Sequence, residues 1–280
     1  MSEPGPSFTA PNFTGCYRHP ERMTGISCQR CRRPICGECM VEASVGFQCP
    51  RCVGLGRSSV RQARTRFGAV LRPGGGLATK IVMGALVFVW LVDLLTRGLG
   101  SGLLAMNNTY VAYGQFWRLV TTSFTSGQLL GVLMNLLVLW LVGRALESEL
   151  GSWRFVLLYL ASGFGGATLF FLVAPSGAWS VGAASAIIGL LAANTIGKAK
   201  TGEDIRPDIG LLVLIVLYAV LINFSGLGWV TMIGGIIVGG LSGAILAYAP
   251  RQNRMTIQLV GMLALVAVCL ALVVAKIALF

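Results

Sequence analysis

Eight side chains near the N-terminus carry the clearest chemistry in this chain. They read Cys16-x2-His19, Cys28-x2-Cys31, Cys36-x2-Cys39 and Cys49-x2-Cys52. A two-residue gap lets one tight turn aim two ligand atoms at a single ion, and four such pairs supply eight ligands. Tetrahedral zinc takes four, so the count predicts two closed structural zinc sites with every ligand position filled by protein. Two pairings satisfy the spacing. A cross-brace joins Cys16, His19, Cys36 and Cys39 at one ion and Cys28, Cys31, Cys49 and Cys52 at the other, whereas sequential pairing joins neighbours along the chain. The intervening loops are too short and polar for an apolar core, so metal binding is expected to fold this segment. His19 is also the only histidine among the 280 residues. Everything after it must work without an imidazole.

The elements behind this array are of another kind. At 55% hydrophobic residues, 11% charged and a mean hydropathy of +0.76, the chain is too apolar for an ordinary soluble domain. The apolar material starts near Ile81 and not at the N-terminus, so no signal peptide is read and the N-terminal segment is expected to stay cytosolic. Clustered cysteines in a cytosolic segment favour metal over disulfides. The net charge of +12 is spread before and between the apolar runs. Arg57, Arg61, Arg64, Arg66, Arg72 and Lys80 precede the first run. Arg144, Arg154, Lys198, Lys200, Arg206, Arg251 and Arg254 fall on the same side of later ones. That is the positive-inside pattern of a bilayer protein, with the N-terminus cytosolic, the C-terminus external and no nucleic-acid partner.

A helix needs about 20 apolar residues to cross the hydrocarbon core. Seven spans are predicted: 81–96, 119–143, two within 155–197 divided at Pro175-Ser176-Gly177, two within 209–250 divided near Asn223-Phe224-Ser225-Gly226, and 255–275. Segment 97–118 should lie outside, with Tyr110, Tyr113, Phe116 and Trp117 at the interface. Gly163 with Gly166, Gly182 with Gly189, and Gly235, Gly239 and Gly243 mark faces where helices approach closely. Asp93 should face protein or the interface. The resulting architecture is an all-α polytopic membrane protein. Its parts are a disordered N-terminus (1–15), a zinc-binding module (16–53), a basic Gly/Ser-rich linker (54–79), a six-helix transmembrane core (80–250) and an additional seventh C-terminal transmembrane helix (251–280).

Two resemblances follow from particular stretches. Arg33-Pro34-Ile35-Cys36-Gly37-Glu38-Cys39 and Phe47-Gln48-Cys49-Pro50-Arg51-Cys52 resemble the knuckles of B-box and related treble-clef zinc modules. Further on, Gly114-Gln115-Phe116-Trp117-Arg118, Asn135, the run Gly182 to Gly189 and the run Met232 to Gly239 stand in an order that resembles the rhomboid family of intramembrane serine proteases. That resemblance implies a serine at the N-terminal end of the fourth span and a histidine on the sixth that takes its proton. The family's Gly-x-Ser-Gly puts Ala184 at the serine position and Ser185 at the glycine that follows. Its His-x-Gly-Gly-x-x-x-Gly puts Met232 at the base position. Its oxyanion pattern His-x-x-x-Asn becomes Gly131-x-x-x-Asn135, so the Asn alone remains.

Nucleophile, base and one oxyanion donor are therefore all replaced. The resemblance implies a rhomboid-fold protein of a bacterial plasma membrane that lacks peptidase activity and binds transmembrane client or substrate helices, while its zinc module engages a cytosolic protein. The alternative is an active intramembrane serine endopeptidase that uses Ser185 as fallback nucleophile with an unrecognised base. Against it, one residue along a helix turns a side chain by about 100°, and helical serines commonly bond back to their own backbone. A transporter is disfavoured because no span pairs intramembrane charges and no inverted repeat is evident.

Overall fold

A computed structural model describes residues 13–59, 65, 69, 76–222, 227–250 and 252–279. Most of the expected disordered N-terminus, the linker arginines Arg61, Arg64, Arg66 and Arg72, the break at 223–226 and Arg251 lie outside the described residues. The chain forms two units, Met1–Gln62 and Ala63–Phe280.

In the first unit β1 (Thr14–Gly15) pairs antiparallel with β2 (Met23–Thr24), and β3 (Val41–Glu42) with β4 (Phe47–Gln48). Helix α1 (Pro50–Ser59) follows, with proline in its first turn, where no N–H is required. Six cysteines and Ile35 make up the buried centre, flanked by Tyr17, Met40 and Phe47. So little apolar volume cannot hold a fold of this size alone. Helix α1 takes in residues 54–59, the first part of the expected linker.

The second unit is helical. Helix α2 (Leu77–Leu95) leads into α3 (Leu99–Leu104), strand β5 (Met106–Asn107), α4 (Asn108–Ala112) and α5 (Arg118–Thr121). Next come α6 (Leu129–Val138), a π-helical segment (Leu139–Gly143) and α7 (Arg144–Leu150), which together form one long span. Helix α8 (Ser152–Val173) ends at the Pro175 turn, and strand β6 (Trp179–Ser180) then pairs with β5. Helices α9 (Ala183–Thr201), α10 (Arg206–Ile222), α11 (Gly228–Tyr248) and α12 (Arg254–Ala278) complete the chain.

Among the described residues five of the seven expected spans are long and apolar enough to cross a membrane: Leu77–Leu95, Leu129–Leu150, Ser152–Val173, Gly228–Tyr248 and Arg254–Ala278. The other two differ for separate reasons. Helix α10 has 17 residues up to the edge of the described segment. Helix α9 is buried through Ala193, so protein surrounds that stretch, and Asn194, Lys198 and Lys200 follow it towards the C-terminal end, where burial falls away. The apolar windows of α8 and α11 are 67% and 61% buried, against 22% for α2, α6–α7 and α12. The centre is thus α8, α9 and α11, and the outer helices turn Leu, Val and Phe outward, as lipid requires.

The centre closes on glycine. A Cβ on Gly235 would meet the Ser185 carbonyl, one on Gly239 the backbone of Gly189, and one on Gly243 would lie 2.6 Å from Ala193 Cα. Each step of four residues on α11 matches a step of four on α9, so the two helices run parallel in fixed register. Where lipid removes the hydrophobic drive between helices, this backbone approach supplies packing and dispersion instead.

Candidate functional site

In the first unit the cross-brace is the pairing that forms. Cys16, His19, Cys36 and Cys39 gather in one cluster and Cys28, Cys31, Cys49 and Cys52 in the other, with the ligand atoms of each cluster within 4.8 Å of one another. Tetrahedral coordination with metal–sulfur bonds near 2.3 Å and metal–nitrogen near 2.0 Å separates two sulfurs by about 3.8 Å and sulfur from nitrogen by about 3.5 Å. His19 Nδ1 lies 3.4 Å from Cys36 Sγ and 3.5 Å from Cys39 Sγ, and Cys31 Sγ lies 3.7 Å from Cys49 Sγ. These are the spacings of ligands around an ion, with Nδ1 as the histidine donor.

The electrostatics agree. Burial would raise the Cys16 and Cys28 thiols, but backbone N–H groups outweigh it and leave both at about 6. One of these donors is Cys49 N–H, 3.2 Å from Cys28 Sγ. Their neighbours cannot follow: burial and the adjacent sulfurs push Cys39 up to about 11, and Cys49, burial and the remaining sulfurs push Cys52 up to about 12. Three or four thiolates can coexist there when a cation sits among them.

In the second unit Ala184 and Met232, the nucleophile and base positions that the resemblance implies, lie at the same end of two parallel helices. Ala184 lies in the first turn of α9 and Met232 in the second turn of its parallel partner α11, and both are half-buried. The segment before α6 ties them to the oxyanion positions. Thr125 O accepts from Ala183 N–H at 3.1 Å, and Asn135 Nδ2 donates to Ser126 Oγ at 3.1 Å. Gly131 is exposed, and a Cβ there would meet nothing within 4 Å.

Ser185 points elsewhere. It is 0% exposed, its Oγ donates to Gly182 O at 2.7 Å, and a Cβ on Gly166 would lie 2.6 Å from that Oγ. Its backbone is the surface on which Gly235 rests. Ser185 is a packing residue at the α8–α9–α11 contact. Neither Asp93 nor Lys276 serves it: Asp93 Oδ1 accepts from Ser101 N–H at 2.6 Å, and Lys276 Nζ donates to Phe171 O at 2.5 Å.

Other polar residues that hold the bundle together were not legible in the sequence. Arg118 donates to Gln115 Oε1, Ala105 O and Gly102 O at 2.7–2.8 Å and lies over the Tyr110 ring, which organises segment 97–118. Buried Glu147 accepts from Ala78 N, Thr79 N, Thr79 Oγ1 and Ser152 Oγ, so a distant carboxylate caps α2. Gln258 links Arg154 to Leu246 O, binding α12 to α8 and α11. A lone charge within an apolar run was the one available signal, and it does not name the partner.

A glycine-seamed helical membrane bundle with two Cys/His clusters in a separate N-terminal unit is the class these features define. Residues 113–249 match the rhomboid domain family, and the chain is a rhomboid-family membrane protein. It is 33% identical over 149 residues to a rhomboid protease, GluP, of Bacillus subtilis, covering 51% of this chain and 28% of that one. It is 34% identical over 142 residues to RHOMBOID-like protein 4 of Arabidopsis thaliana, covering 49% and 36%. It is 29% identical over 204 residues to a rhomboid protease, GlpG, of Salmonella choleraesuis, covering 71% and 72%. The match thus spans about a third of the length of the first two relatives.

Proposed function

We propose that this protein is a rhomboid-fold membrane protein without peptidase activity, which holds transmembrane client helices in the bilayer. One observation carries the reading: the hydroxyl nearest the nucleophile position, on Ser185, is wholly buried and spent on Gly182 O, while the family resemblance puts Ala184 and Met232 at the nucleophile and base positions. Removing single members of a serine-protease triad costs on the order of 10⁴ to 10⁶ in rate. With nucleophile, base and one oxyanion donor gone together, the remaining capacity is positioning. The N-terminal clusters hold two structural zinc ions and present a folded surface to a cytosolic protein. The basic residues before and between the spans place this unit on the cytosolic side, with the C-terminus external, in a bacterial plasma membrane.

The test is cleavage of a labelled single-span substrate in proteoliposomes. No cleavage is expected from the natural chain; cleavage that disappears in Ser185→Ala would overturn the reading. Ala184→Ser, Met232→His and Gly131→His combined should introduce cleavage, and each alone should not, because the members of such a unit are strongly non-additive.

A further inference from the structure

The span formed by α6, the π segment and α7 carries a cleft of about 410 Å³ lined by Trp140, Leu141, Arg144 and Ala145. Wide π turns inside an α-helix often mark functional positions. Here the segment places Gly143 directly against Thr79 of α2, so the two helices meet behind the cleft. The Arg144 stem rests beside Gly76, 3.5 Å from where a Cβ would stand. Arg144 is exposed. The carboxylate best placed to neutralise it, Glu147 at the next turn, has both oxygens committed to Ala78, Thr79 and Ser152. Among the described residues, no side chain bonds or pairs with the Arg144 guanidinium.

The surroundings say what kind of anion fits. Arg144 lies roughly 22 Å along the helix axis from Leu129, towards the end of the span, and Trp140 sits one turn before it, at the level where indoles meet headgroups. Leu137 and Leu133 continue the same stripe and are 47% and 51% exposed. A cation at the interface, an indole beside it and an apolar stripe beyond together match an amphiphile with an anionic head. A free phosphate would satisfy the first of these and leave the stripe unused.

We propose that this cleft is a binding site for an anionic phospholipid, with the phosphate on Arg144, the glycerol region against Trp140 and an acyl chain along Leu137 and Leu133. The site is independent of whether the protein cleaves anything.

Native mass spectrometry of the full chain, released from nanodiscs containing equal phosphatidylglycerol and phosphatidylcholine, tests it. The natural chain should retain phosphatidylglycerol over phosphatidylcholine by about fivefold, as one interfacial basic contact provides. Arg144→Gln should bring the ratio near parity and Arg144→Lys should keep most of it. Arg57→Gln, an equal loss of charge in the other unit, should change nothing. Trp140→Ala reads the same contact from its apolar side and should lower retention. Equal retention of the two lipids by the natural chain, or full preference in Arg144→Gln, overturns the proposal. Displacement of the lipid by excess inorganic phosphate would assign the cleft to a free anion and overturn it as well.

Discussion

Glu147→Gln is the most economical test of how this bundle is assembled, because it changes one atom in a side chain that is 2% exposed. Oε1 accepts from Ala78 N at 3.0 Å and Ser152 Oγ at 2.7 Å, and Oε2 accepts from Thr79 N and Thr79 Oγ1, each at 2.8 Å. Whichever oxygen becomes an amide nitrogen, it faces one hydroxyl and one backbone N–H. The hydroxyl can turn and accept; the backbone N–H cannot. One orphaned buried donor costs about 1–3 kcal/mol. Loss of charge from the surviving bonds adds about 1 kcal/mol, and loss of an anion at the start of α2 adds about 0.3–1 kcal/mol. The sum is a loss of about 2–5 kcal/mol. Reversible unfolding in mixed micelles, followed by tryptophan fluorescence, measures it. Ser148→Ala, one residue away and exposed, should stay within about 0.5 kcal/mol of the natural chain. If Glu147→Gln does the same, the carboxylate does not cap α2 and the reasoning fails.

Three further outcomes are expected. The purified chain should bind two equivalents of zinc and release both as pH falls, because each ligand thiol must stay deprotonated to hold the ion and protons compete with zinc for it. Release centred well above pH 7, or a single equivalent by metal analysis, would contradict the two clusters. Gly239→Val should remove several kcal/mol or abolish folded yield, because its side chain would enter the Gly189 backbone, while Gly210→Ala, with open space around it, should be neutral or slightly stabilising by melting temperature. Replacing Gln258 by Leu and Lys276 by Met together frees both ends of α12, so buried Cys269 should become reactive to a membrane-permeant maleimide that leaves the natural chain unlabelled.

Several features were legible residue by residue. Gly235, Gly239 and Gly243 announced a close helix contact, because spacing by four places small residues on one face. The Pro175-Ser176-Gly177 turn divides two helices as expected. Asp93 had to find a partner in or near the membrane, and Ser101 N–H is that partner. Helix α9 was less legible, since a hydropathy argument assumes lipid around a span and α9 is surrounded by α8 and α11.

By itself the sequence determined composition, order and count: eight ligands in four pairs, long apolar runs with basic ends, and a chain whose one imidazole belongs to the N-terminal array, away from position 232. Those follow from local chemistry and need no coordinates. Folding in three dimensions settled the relations between distant residues. It selected the cross-brace over sequential pairing, because Cys16 and Cys36 meet only when the strands between them turn back. It turned Ser185 into the α8–α9–α11 contact, away from the half-buried end where Ala184 and Met232 stand, because the register of α9 on α11 sets which way that hydroxyl points. It also spent Glu147 on α2 and left Arg144 without a side-chain partner among the described residues, an outcome decided by which helices pack together and invisible to spacing along one of them.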